Sequence, residues 1–269
     1  MIVFKSINKI NKLVDFKNNI GFVPTMGALH EGHVSLVKKS KKMCTKTIVS
    51  IFVNPKQFNS KKDLNKYPRN INKDLNILKS LKVDYVLIPK IKDIYKNKVR
   101  RIKLAKKDKI LCAKYRPGHF EGVLQVIEQF FKRIKPKMLF LGEKDFQQMM
   151  LIKNFLRNKY KVKIIPCKTI RHKKGYAYSS RNERLNKTKD IKVISSVAFK
   201  IRRIYLLIKK NLNNIEMLKD LENDLNKYPI KIEYLEIRNK NNLSIKFNKN
   251  NFKIFLAYYY KNIRFIDNF

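Results

Sequence analysis

Residues 24–33 read PTMGALHEGH, and two of the four histidines in the chain, His30 and His33, stand there three positions apart. The stretch follows a short apolar run, IGFVP (20–24). It precedes HVSLVKKSKKM, where Val34, Val37 and Met43 recur at helical spacing. Gly27 and Gly32 let the main chain turn closely about a bound group. A helix starting at this point aims its free N–H groups and its positive dipole end at the same place. Imidazoles at i and i+3 near a helix start lie on one side of it. There they can donate hydrogen bonds to phosphate oxygens and to the charge that develops in phosphoryl or nucleotidyl transfer. A zinc site would call for HExxH, and HxxH with no third ligand cluster does not supply it. Two solvated surface histidines would give the same letters; the strand before and the helix after favour nucleotide chemistry.

Three further stretches carry groups suited to the same chemistry. FVNPKQF (52–58) offers Asn54 and Gln57, amides that both donate and accept and so suit a hydroxylated substrate; an ordinary Asn-Pro turn is the alternative. GEKDFQQ (142–148) offers Lys144 for a phosphate, Asp145 for a ribose hydroxyl pair, and Gln148. A charged helix start would look alike. YSSRN (178–182) offers two hydroxyls and a guanidinium, a set that fits a triphosphate, with a polar loop as the alternative.

The elements that must position these groups alternate. TIVSIFV (47–53), VDYVLIP (83–89), MLFLG (138–142) and VKIIP (162–166) read as strands beside 20–24. INKDLNILKSL (71–81), FEGVLQVIEQFFKRI (120–134) and FQQMMLIKNFLRN (146–158) read as helices beside the one after His33. The alternation predicts an α/β fold, a Rossmann-like parallel sheet with helices on both faces, which binds ligands at the carboxyl ends of its strands. Each candidate stretch before residue 170 follows a strand. From about KKG (173–175) the pattern changes to helical stretches up to about residue 227, then strands at 230–237, 252–260 and 262–269, a small C-terminal α+β domain. The expected division is 1–170 and 171–269. All seven glycines fall in the first 175 residues, which places the site chemistry there.

Composition bounds the rest. At 269 residues and 44% apolar content the chain can build one large domain or two ordinary ones. No run of eighteen apolar residues exists to span a membrane, and the start, MIVFKSINKINK, has no secretory h-region. Cys44, Cys112 and Cys167 form no CxxC pair, so a disulfide framework or zinc knuckle is not expected and a reduced, cytoplasmic location is. The formal charge of +43 would fit nucleic-acid binding. The lysines, however, are spread from end to end with no basic arm interleaved with aromatics, and Lys, Asn and Ile are enriched together, as A/T-rich coding would do. No specific nucleic-acid partner is expected, although the charge can attract anionic metabolites.

The segments PTMGALHEGH, SIFVNPKQF, YPRNINKD, RPGHFEGV, LGEKDFQQ and SSRN, in this order and approximate spacing, resemble the pantothenate synthetase family of the HxGH-bearing nucleotidyltransferase superfamily. YLEIR and IRFIDN extend the resemblance over nearly the whole chain. It implies a ligase of pantothenate biosynthesis that condenses pantoate with β-alanine at the expense of ATP, through a pantoyl adenylate. It implies ATP binding by Met26, Gly27, Ala28, Leu29, His30, Glu31, Gly32 and His33, with His33 as catalytic proton donor. Further ATP contacts are implied for Gly142, Glu143, Lys144 and Asp145, for Ile170 against the adenine, and for Tyr178, Ser179, Ser180 and Arg181 over the triphosphate. Gln57 and Gln148 are implied to hold pantoate, with Gln57 also near β-alanine. Mg²⁺ on the phosphates and a homodimer belong to the same expectation. The chain departs from the family pattern at Leu111-Cys112-Ala113, where an acidic residue and a glycine are usual, and at Tyr176 and Tyr178, where aliphatic residues are usual. Two other readings stand beside it: a related nucleotidyltransferase with another acceptor, and a basic RNA-binding protein.

Overall fold

Strand β2 (Ile20–Thr25) can sit at the centre of a sheet because five of its six residues, all but Pro24, are buried. β3 (Lys46–Ile51), β4 (Tyr85–Leu87) and the short edge strand β1 (Ile2–Phe4) follow on one side. β5 (Met138–Gly142) and β6 (Lys163–Cys167) follow on the other, and the order is β1-β4-β3-β2-β5-β6 with every pairing parallel. The computed structural model describes residues 1–15, 19–95, 99–185, 188–210 and 214–269.

Adjacent residues of β2 point to opposite faces, and each face meets a helix. Phe22 packs edge-on against Phe130 of the helix His119–Phe131, with ring centroids 5.4 Å apart. Val23 joins a cluster with Val37 of the helix Glu31–Met43 and Leu78 of the helix Ile71–Ser80. Helices therefore cover both faces, as the sequence predicts. β1 and the helix Ile7–Leu13 are additions to that prediction. Three residues, of which only Phe4 is buried, are too few to carry a strand pattern.

The strand order reverses between β2 and β5. β2 pairs with β3 as far as Thr25 and Ile51, but with β5 only at Gly21 and Phe22. Beyond that point the two carboxyl ends part, and Pro24, which has no N–H to give a ladder, falls in the parted stretch. A doubly wound sheet binds ligands at such a reversal, and PTMGALHEGH and GEKDFQQ leave from its two sides.

The chain divides into two compact units, Met1–Thr169 and Ile170–Phe269. The second has an antiparallel sheet of β7 (Lys231–Asn239), β8 (Phe252–Tyr260) and β9 (Ile263–Asn268), with helices Thr188–Lys210 and Asn214–Asn226. Val197, Ile201, Leu225, Ile254 and Leu256 lie in its core. No glycine is available for the β8–β9 turn, and Lys261 and Asn262 take the two left-handed positions instead, at φ 50° and 60°.

Candidate active site

The loop leaving β2 opens with two successive left-handed residues, Gly27 at φ 77° and Ala28 at φ 49°. A Cβ at position 27 would also stand 2.8 Å from Oδ2 of Asp74, so glycine is required there on both counts. Asp74 is buried on the helix Ile71–Ser80 and accepts the N–H groups of Ala28 (2.9 Å) and Leu29 (2.8 Å). The main chain then extends at His30, the N-cap of the helix Glu31–Met43. His30 Nδ1 accepts the Gly32 N–H at 3.1 Å, and His33 Nδ1 accepts the His30 N–H at 3.4 Å. The two imidazoles thus build the reciprocal cap that a hydroxyl and a glutamate usually build, with ring centroids 4.1 Å apart.

Because both Nδ1 atoms accept main-chain N–H groups, the proton of each neutral ring is on Nε2. The neutral forms are favoured. Burial, then the neighbouring His33 and Lys144, lower the pKa of His30 from 6.5 to about 2. Burial lowers His33 to about 4, with Asp145 opposing and Lys144 adding to the shift. In the unfolded chain an imidazole takes up its proton near pH 6.5. As pH falls below that value the unfolded state binds protons that the folded state does not, so stability is full above about 6.5 and declines towards His33's folded value of about 4. Thermal midpoints measured across this window are expected to fall with pH in the parent, and to fall less in His33→Gln.

After β3 the turn Pro55–Gln57 is capped by Asn54, whose Oδ1 accepts the Lys56 N–H (3.2 Å) and the Tyr95 hydroxyl (2.7 Å). Asn54 Nδ2 donates to Gln57 Oε1 (3.1 Å) and to the Gly122 carbonyl (3.0 Å). Asn54 therefore serves the scaffold. Gln57 Nε2 lies 2.8 Å from the Met26 sulfur, which joins the first two candidate stretches. The Gln57 carbonyl accepts from His119 Nδ1 (2.6 Å) and from Arg116 (3.3 Å), while Arg116 also donates to His119 Nε2 at 3.0 Å. The helix His119–Phe131 approaches this turn so closely that a Cβ at Gly122 would collide with the Lys56 carbonyl and lie 2.9 Å from the Gln57 nitrogen. Gly122→Ala is expected to cost about 1–3 kcal/mol of stability, the usual range for overpacking against atoms that cannot yield, and a denaturant midpoint measures it.

β5 ends in the turn Glu143–Asp145, and Lys144 and Asp145 are near enough to the histidines to shift their titration. The two glutamines that follow divide their work. Gln147 is buried, donates to the carbonyls of Asp108 (3.1 Å) and Ile110 (2.7 Å), and accepts the Ala113 N–H at 3.4 Å. Gln148 is half-buried on the first turn of the helix Phe146–Arg157.

The remaining candidates belong to the second unit, where one segment gathers them. Tyr178 N–H donates to the Ile170 carbonyl (3.1 Å) across a hairpin that turns at Gly175, φ 90°. Arg171 ties this hairpin to β9 through a two-pronged pair with Asp267, both bonds 2.8 Å. Ser179 Oγ accepts the Arg181 N–H (3.3 Å), and the Ser179 N–H reaches Asn182 at 2.5 Å, capping the turn Ser180–Arg184.

A family model described as pantoate-beta-alanine ligase matches residues 2–269. The chain belongs to the pantoate-beta-alanine ligase family. A relative named pantothenate synthetase, from Francisella tularensis subsp. mediasiatica, is 41% identical over 268 residues, spanning 98% of this chain and 94% of its own. A solved pantothenate synthetase from Thermus thermophilus superposes with a TM-score of 0.92 at 26% identity, covering 100% of this chain and 99% of that one. A Francisella tularensis pantoate-beta-alanine ligase, solved with beta-gamma ATP and beta-alanine, superposes with a TM-score of 0.85 at 40% identity, covering 100% and 97%.

In this ligase the departures at 111–113 and 176–178 have local accounts. Leu111 is buried at φ 48°, and the next residues form the short helix Cys112–Tyr115, held through Ala113 by Gln147. Tyr176 stacks on His172 with centroids 4.8 Å apart, and Tyr178 meets His172 edge-on at 5.8 Å. Asp74, Arg116, His119, Gly122 and Gln147 are supports whose roles the sequence does not assign, although all five fall within the segments YPRNINKD, RPGHFEGV and LGEKDFQQ. Asp74 alone leaves a local signal, a carboxylate four residues before Leu78 on the apolar side of its helix.

Proposed function

We propose that this ligase condenses pantoate with β-alanine in two steps at the parted ends of β2 and β5, with Met26–His33 and Gly142–Asp145 on ATP. The observation that carries this is the pair of neutral imidazoles capping one helix, each carrying its proton on Nε2 as a donor, beside Lys144. In the first step a pantoate carboxylate oxygen attacks the α-phosphorus, the bond to the bridging oxygen breaks, and pyrophosphate leaves. Carboxylate and triphosphate repel each other, so catalysis is mainly positioning plus donors aimed at the phosphates. The donor role expected of His33 is read as a hydrogen bond from Nε2. In the second step the β-alanine amine attacks the acyl carbon of the adenylate, AMP leaves and the amine loses a proton. The mixed anhydride must be kept from water until then.

Gln57 supports the pantoate assignment because its amide nitrogen rests on a thioether, a weak acceptor that an oxygen of substrate can replace. Gln148, with its neighbour Gln147 anchored, is proposed as the second amide on pantoate. Ile170 and Tyr178, Ser179, Ser180 and Arg181 are proposed to meet adenine and triphosphate. Mg²⁺ enters as part of the ATP substrate. Such an ion is carried on phosphate oxygens and keeps several of its waters. A cytoplasmic homodimer is part of the same proposal.

A coupled AMP-release assay tests the reaction. AMP is expected only with pantoate present, and in full only with β-alanine added. Release without pantoate would remove pantoate as acceptor. The +43 charge is proposed to be incidental to the site. Replacing the exposed Lys209, Lys210 and Lys219 by glutamine is expected to leave the ATP KM within about twofold at 0.1 M salt, where exposed charges are screened beyond about 10 Å.

A further inference from the structure

Two successive left-handed residues, Gly27 and Ala28, leave the N–H groups of Ala28 and Leu29 side by side. Adjacent main-chain N–H groups of this kind form a concavity for anions. In a loop assigned to ATP that concavity should attract a phosphate, yet it is filled from within. Oδ2 of the buried Asp74 accepts from Ala28 and Oδ1 accepts from Leu29.

We propose that Asp74 is a positioning residue for the ATP site: its carboxylate fills the N–H pair of Ala28 and Leu29 and holds the loop that presents His30 and His33. The inference rests on the reading that Met26–His33 lines the ATP site. It deepens that reading by dividing the loop. Phosphate contacts fall to the imidazoles, while the main chain of residues 28 and 29 faces the protein.

The chemistry requires a carboxylate at this position. Two N–H donors need two acceptor oxygens spaced as on one carbon, and asparagine has only one, its NH2 group facing the second donor. The bonds also hold Ala28 in a conformation that a residue with a Cβ disfavours. Gly27 and Asp74 form a matched pair, since a side chain at 27 would stand on Oδ2.

The test is Asp74→Asn in the full-length enzyme, read by AMP release with ATP and pantoate varied in turn, and by amide exchange. A loop that is competent only part of the time lowers apparent ATP affinity by that fraction without altering the committed complex. The expected result is an ATP KM raised by roughly tenfold to a hundredfold, the fraction that losing one charge-assisted bond implies. Turnover and the pantoate KM should stay within about threefold. Exchange at Ala28 and Leu29 should quicken while β2 and β3 keep their protection.

An unchanged ATP KM, or unchanged exchange at 28 and 29, would overturn the proposal. So would loss of protection throughout β2 and β3 with lower turnover, which would make Asp74 a general stability group. His33→Ala is run beside it. If His33→Ala leaves ATP kinetics untouched, the ATP-site reading fails and this inference with it. If only Asp74→Asn does so, the positioning role alone fails.

Discussion

Replacing His33 by alanine is expected to slow pantoyl adenylate formation by roughly 10²-fold or more, the scale for removing one preorganised donor from a site where charge develops. His30→Ala should do the same. Each histidine offers Nε2–H because a main-chain N–H occupies its Nδ1, so each substitution removes a donor whose orientation is already fixed. Each also removes half of the reciprocal cap on the helix Glu31–Met43, worth about 1 kcal/mol of stability. The two effects separate by measurement. Single-turnover adenylate formation reads the chemistry, and the thermal midpoint reads the cap. Asparagine at position 30 restores a capping oxygen, so His30→Asn should recover the midpoint and leave the rate low. A variant that regained its rate along with its midpoint would mark the imidazole as a cap and nothing more.

The second large effect is expected at the glutamines. Gln57→Leu and Gln148→Leu keep approximate volume and remove an amide that can both donate and accept. Each should lose roughly 1–3 kcal/mol in kcat/KM for pantoate, the cost of an unmade hydrogen bond to a buried partner. ATP affinity by calorimetry should stay within about threefold. Gln57→Leu should be the more severe, because Asn54 also loses the acceptor for one of its amide hydrogens. Gln147→Leu provides the contrast. It should lower stability, since the carbonyls of Asp108 and Ile110 lose their donor, with little change in the pantoate dependence of the surviving enzyme. Equal pantoate dependence in the parent and in both substrate-side variants would sink the pantoate assignment.

The layout of the fold was readable in the sequence where chemistry repeats locally. β2, β3, β5 and β6 are runs of apolar residues bounded by turn formers, and the helices after His33 and Phe146 keep helical spacing. The strand–loop–helix placement of His30 and His33 was readable for the same reason. What escaped is bonded across long sequence distances. Asp74 reaches residues 46 and 45 positions earlier, and His119 holds a carbonyl 62 positions earlier. No window of sequence contains both partners, so the partners of Asp74 and His119 are not legible, although both residues fall within the segments YPRNINKD and RPGHFEGV. Gln147 and Gln148 show the limit most directly. The same side chain stands at adjacent positions, and only the fold tells which one grips the scaffold.

If His30 and His33 meet the triphosphate as proposed, their depressed basicity has a thermodynamic counterpart when the nucleotide binds. A triphosphate set against the two rings supplies the negative charge that their surroundings withhold, and nearby negative charge raises an imidazole pKa. Binding and proton uptake are then one linked equilibrium. As acidity increases towards the raised pKa values, each ATP bound draws a growing fraction of a proton from the buffer. The observed heat of binding must accordingly vary with the ionisation enthalpy of that buffer. On the proposed reading of the site, rings that are neutral before the nucleotide arrives become stronger bases once it is bound.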